Sequence, residues 1–86
     1  MPAISIFFGI VIKMFYMEHP PPHFHAEYQG QRGVFDFDGK MIKGNIRSRT
    51  ARRLIEEWAV LHHDELEQNW YQAREGKALA RIAPLD

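Results

Sequence analysis

The sequence predicts an α+β fold, a small antiparallel sheet of three or four strands followed by one long or two short helices packed on one sheet face. Three features carry that prediction. The first half holds short runs rich in Ile, Val, Phe and Tyr, and two of them, Phe24 to Gln29 and Val34 to Asp38, alternate as half-buried strands do. Glycine and proline clusters separate these runs. From Thr50 onward the apolar residues recur every three or four positions, which is the period of an amphipathic helix.

Taken in order, Phe7 to Met17 reads as one long strand. It is apolar on both faces around Phe8 to Ile12, so a central position in the sheet is expected. His19 to Pro22 ends it, because each proline holds φ near about −65° and removes a backbone donor. Phe24 to Gln29 is a second strand, with Phe24, Ala26 and Tyr28 on one face and His23, His25 and Glu27 on the other. Gly30-Gln31-Arg32-Gly33 reads as a tight hairpin connection. Val34 to Asp38 is a third strand, with Phe35 and Phe37 facing the core and Asp36 and Asp38 facing away. Asp38-Gly39 signals a turn, and Met41 to Ile46 is a short fourth strand weakened by Gly44.

Ser48 or Thr50 caps the helical region, whose stripe runs through Ala51, Leu54, Ile55, Trp58, Leu61, His62, Leu66, Trp70 and Ala73. Asp64 with Glu67 three residues on is a second capping pattern. The region is therefore either two helices that break near His63 or one continuous helix. Gly76 ends it. Leu79, Ile82 and Leu85 of the remaining tail are expected to dock back on the sheet. The expected core is Phe24, Tyr28, Phe35, Phe37, Leu54, Trp58, Leu66 and Trp70.

Eighty-six residues suit a single domain spanning 1–86. Such a chain buries roughly 60–65% of its unfolded surface, which allows a small core. The absence of cysteine excludes disulfides and thiolate chemistry, and it fits a cytoplasmic location. Ile4 to Ile12 is nearly apolar, but no basic residue precedes it and it falls well short of the about 20 residues of a membrane span. A buried strand is expected there, with no membrane contact.

The net charge is zero, yet the charges are segregated. Between Met41 and Ile55 lie Lys43, Arg47, Arg49, Arg52 and Arg53 with no acid. Between Glu56 and Glu67 lie five acids with no Lys or Arg. Cations at the start of a helix oppose its dipole unless an anionic partner compensates. Lys43, Arg47, Arg49, Arg52 and Arg53 are therefore candidates for contacting nucleic acid or another anion. The alternative is a solvated face in which Arg52 and Arg53 pair with Glu56 and Glu57.

The segment His19-Pro20-Pro21-Pro22-His23-Phe24-His25-Ala26-Glu27 holds three of the five histidines. Imidazole exchanges protons near neutrality. His23 and His25 are thus candidate catalytic residues for RNA cleavage without a metal or other cofactor, one taking the 2′-hydroxyl proton and one protonating the leaving oxygen, with Glu27 orienting a ring. A weaker alternative is a divalent-metal site at His19, His23 and His25. A third reading has the histidines simply holding the proline turn. His62 falls on the apolar stripe and reads as a satisfied, partly buried histidine. Asp36 and Asp38 read as polar residues on the wet face of the sheet.

Ile4-Ser5, Phe8-Gly9-Ile10, the block from Pro21 to Ala26, Glu57-Trp58-Ala59 with Leu61-His62, Glu65-Leu66, Asn69-Trp70, Ile82 and Pro84-Leu85 resemble the domain-of-unknown-function 4160 family of small bacterial proteins. The resemblance covers nearly the whole chain. It carries no established activity. It implies a small cytoplasmic module encoded beside another small protein, in the manner of toxin–antitoxin pairs. The expected partners are RNA or that cognate protein. The alternatives are a non-catalytic interaction module and a small metal-binding protein.

Overall fold

A computed structural model describes residues 3–86. Five strands form one antiparallel sheet in sequential order: β1 (Ala3–Phe7), β2 (Ile10–Lys13), β3 (Phe24–Tyr28), β4 (Gln31–Phe35) and β5 (Met41–Gly44). Two helices follow, α1 (Arg49–Leu61) and α2 (His63–Arg74). The α+β class and the order of sheet then helices agree with the sequence. The strand count is five, not three or four.

The extra strand comes from the N-terminal apolar run. It does not form one strand from Phe7 to Met17. Phe8 and Gly9 both take positive φ, at 50° and 77°, which is the signature of a two-residue type I′ hairpin. The run folds back on itself, with Phe7 opposite Ile10. A second such turn lies at Gln29-Gly30, with φ of 49° and 78°. The chain therefore re-enters the sheet at Gln31, and Gly33 is a strand residue rather than part of the connection. β4 ends at Phe35. Asp36 begins a turn in which its Oδ1 accepts hydrogen bonds from the backbone N–H groups of Asp38 and Lys40, each at 3.0 Å. Asp36 and Asp38 thus belong to this turn and not to a sheet face.

Cross-strand register separates the two faces of the sheet. Ile12, Ala26 and Gly33 are in register and buried under the helices. Lys13, His25, Val34 and Lys43 form the neighbouring row on the open face, and Val11, Glu27 and Arg32 form another. At the end of the inner row Gly44 has φ of 128°, and a Cβ there would lie 2.4 Å from the Arg32 carbonyl oxygen and 2.5 Å from Gly33 Cα. A side chain at this position is excluded by both the backbone conformation and the space.

The core lies between sheet and helices. Phe24, Phe35, Phe37, Trp58 and Leu66 are buried as expected, and Tyr28, Leu54 and Trp70 pack partly buried against them. Ser48 caps α1 by accepting from the Ala51 N–H at 3.0 Å. α2 starts at His63 with His62 at its cap, so the helices do break there, but Asp64 does not supply a side-chain cap. The tail docks as expected. Ile82 is buried and donates its N–H to the Ile4 carbonyl at 2.8 Å. Asn69 is buried in α2, and its amide accepts from the Ala80 N–H at 2.9 Å and donates to the Ala80 carbonyl at 2.8 Å. Among the described residues, no helix is long and apolar enough to cross a membrane.

Gly44→Ala is expected to destabilise the protein by about 2–4 kcal/mol in urea unfolding, from overpacking and backbone strain together. Asn69→Ala removes the two bonds that fasten Ala80 and is expected to cost about 2 kcal/mol, with earlier proteolysis after Gly76 as the accompanying readout.

Candidate functional site

The connection from β2 to β3 builds a cluster of three side chains. His25 sits within β3, in register with Lys13 of β2 on one side and Val34 of β4 on the other, and His23 immediately precedes the strand. Glu18 lies in the irregular segment between the strands. Both imidazoles turn their Nε2 atoms to the same oxygen, Glu18 Oε1, at 2.5 Å from His25 and 3.0 Å from His23. His23 Nδ1 lies 2.8 Å from the Pro21 carbonyl oxygen. A carbonyl only accepts, so Nδ1 carries a proton and donates it.

Aromatic rings hold both histidines. Trp70 of α2 lies against His23, with centroids 5.2 Å apart, and Phe15 meets His25 edge-on at 4.5 Å. The cluster is half-buried. Burial pushes the Glu18 carboxyl up, but hydrogen bonds from His25 and His23, together with their charges, outweigh burial and hold it below the usual glutamate range.

Glu27 plays a different part from the one its place in the sequence suggests. It faces the open side of the sheet beside His25, but its Oε2 accepts from Lys13 Nζ at 3.0 Å and lies 3.9 Å from Arg32. Glu18 orients the imidazoles instead. It has no periodic pattern to mark it, and its one sequence signal is that it is the sole acid between Lys13 and Glu27. His19 is exposed and lies outside the cluster, so the three converging groups are Glu18, His23 and His25.

The basic segment divides between two grooves. Lys43 lines a groove of about 400 Å³ on the open sheet face together with Phe15, His25, Glu27, Arg32 and Val34. Arg49, Arg52 and Arg53 line a separate groove of about 350 Å³ with Lys40, Met41 and Glu56 at the start of α1. Arg47 lines neither and is exposed. Glu56 pairs with Lys40 at 2.9 Å, not with an arginine of α1. Among the described residues, Lys43, Arg47, Arg49, Arg52 and Arg53 have no ion-pair partner, and the buried Arg52 Nε has no hydrogen-bond acceptor. The first turn of α1 contains no acid.

His62 is satisfied and largely buried. It packs on Trp58 with centroids 5.6 Å apart, and its Nδ1 bonds Glu65 at 2.5 Å. His63, Asp64 and Glu67 form a second convergent set on α2, but Asp64 and Glu67 are exposed.

A family model described as a domain of unknown function (DUF4160) matches residues 9–71, a span that includes β2 to β5, the Glu18–His23–His25 cluster and most of both helices. No curated protein and no solved structure matches the chain. The matched span is well over half of the sequence, and the chain belongs to this family.

Chemically, two imidazoles and a carboxylate are groups that can exchange a proton or hold a cation, and His25 of this cluster also lines the groove that contains Arg32 and Lys43. The depressed Glu18 group contributes stability that is present above its unfolded value near 4.5 and is lost as pH falls through the lower folded value. In chelator-treated buffer, Glu18→Gln is expected to be less stable than the wild type at pH 6. The difference should shrink steadily below pH 4.5, as read by thermal unfolding across the pH series.

Proposed function

We propose that this member of the DUF4160 family is one component of a cytoplasmic bacterial toxin–antitoxin-like pair, and that it contacts RNA through the open face of its sheet. One observation carries the reading: Phe15, His25, Arg32 and Lys43 surround a single groove, and Lys43 has no counter-charge among the described residues. Cations beside an aromatic ring suit single-stranded nucleic acid, because the cations take phosphates and the ring stacks a base. Glu27 does not cancel this field, since Lys13 and Arg32 already face it.

The second cationic groove, at Arg49, Arg52 and Arg53, gives the backbone of a longer strand another place to dock. The start of a helix with no acid in its first turn favours phosphate there. His25 borders the first groove and His23 shares its carboxylate. Chemistry on a bound phosphate would therefore fall to this pair, with Glu18 rather than Glu27 as the orienting group. The cognate protein of the pair would regulate access to this face.

Induction of the wild type in a bacterial host is expected to slow growth, and a folded His23→Ala/His25→Ala variant to relieve it. No arrest by the wild type would remove the autonomous-toxin reading. In parallel, Lys43→Glu is expected to weaken binding of a single-stranded RNA at least about tenfold and to reduce the salt dependence by about one phosphate contact. Arg49→Glu/Arg53→Glu should act in the same direction. RNA affinity unmoved by either set would rule out RNA as the ligand of these grooves.

A further inference from the structure

RNA contact leaves one feature of the cluster unexplained. His23 Nε2, His25 Nε2 and a carboxylate oxygen of Glu18 converge on one point, and all three atoms lie within 4.8 Å of one another. His23 donates from Nδ1 to the Pro21 carbonyl, so in the neutral ring its Nε2 is a bare lone pair. That lone pair faces Glu18 Oε1, which is itself an electron-pair donor, and His25 Nε2 faces the same oxygen. Positive charge has to sit among them. His25 can donate its Nε2–H to that oxygen as a neutral ring, so the contact left to satisfy is the one at His23 Nε2, by a second proton on that ring or by a metal ion. One divalent ion would satisfy all three donors at once.

We infer that Glu18, His23 and His25 form a binding site for one divalent transition-metal ion. Two imidazoles and one carboxylate are a donor set that zinc, iron, cobalt and nickel accept, and three protein ligands leave coordination positions open. The bond from His23 Nδ1 to the Pro21 carbonyl is the second interaction that metal-bound histidines usually make to fix tautomer and ring orientation. The surroundings are built to match. His25 is anchored within the sheet, His23 is held by the Pro21 carbonyl and Trp70, and Phe15 meets the His25 ring edge-to-face.

Around an ion with bonds of about 2.0–2.2 Å the donors stand roughly 3–3.5 Å apart, so the 3.0 Å pair already fits and the 2.5 Å pair must open. Glu18, on an irregular segment, is the member free to withdraw. His25 also lines the open-face groove, which would place the ion near whatever anion the groove holds. The inference goes beyond the RNA reading and does not depend on it, because metal binding is measured with no nucleic acid present.

The test is titration of chelator-treated full-length protein with cobalt(II), read by visible absorption, and with zinc(II), read by calorimetry and thermal unfolding. One ion per chain is expected, with Kd tighter than about 10 µM and a rise in Tm of several degrees that chelator reverses. Glu18→Ala and His25→Ala should each weaken binding by about 100-fold or more, while His19→Ala and His63→Ala leave it unchanged. Since His25→Ala removes a sheet residue, its fold is checked by circular dichroism. Glu18→Ala, on the irregular segment, serves as the second variant. The absence of cobalt absorption and zinc heat in the wild type would overturn the inference. So would binding that survives Glu18→Ala in a folded chain, or that disappears with His63→Ala.

Discussion

Trp58 is the contact on which the rest of the molecule depends. Its ring is fully buried and lies 5.5 Å from Phe7 of β1, 5.7 Å from Phe24 of β3 and 5.6 Å from His62 at the junction of the helices. Its indole N–H donates to the Ala83 carbonyl at 2.9 Å, so one side chain joins the sheet, both helices and the tail. Burying an aromatic of this size is among the largest single contributions available to a small core. It also fixes which face of the sheet the helices cover.

The covered face leaves the other one open. Five strands joined as a meander have two faces, and the helices of this chain pack on one. Every side chain of the other parity, including Lys13, His25, Glu27, Arg32, Val34 and Lys43, therefore lies on the uncovered side. The close approach of Gly33 and Gly44 lets β4 and β5 lie nearly backbone to backbone, and this pair floors the groove beside those cations.

The histidine cluster forms where these two demands meet. Trp70 extends the packed layer just far enough to touch His23, while His25 remains on the open face. The site is thus half supported by the core and half accessible. A centre that must hold its side chains in one geometry and still meet a ligand needs both conditions.

Local pattern carried much of this. The alternation in Phe24 to Tyr28 identified β3 and placed His25 and Glu27 on its open face. The three- and four-residue period identified the helical region, and the sequence offered Ser48 or Thr50 as its cap and either a break near His63 or one continuous helix; the structure has the Ser48 cap and the break. The prolines marked the connection that positions His23. These features depend on neighbours within a few residues, so composition and spacing express them directly. Other features depended on distant contacts. The first apolar run looked like a single strand, because Phe8 is a poor turn signal and only pairing between β1 and β2 repays its positive φ. Glu27 was the obvious carboxylate by spacing, but Lys13 across the sheet claims it, and the loop brings Glu18 to the imidazoles instead. The basic segment read as one patch, but β5 and α1 carry its members to separate grooves. Sequence alone therefore determined the α+β class, the order of sheet then helices, and most of the residues that face the core, while the number and ends of the strands needed the pairing itself. Which charged groups meet was decided by the tertiary structure, because such pairing is set by where the chain returns in space and leaves no periodic trace.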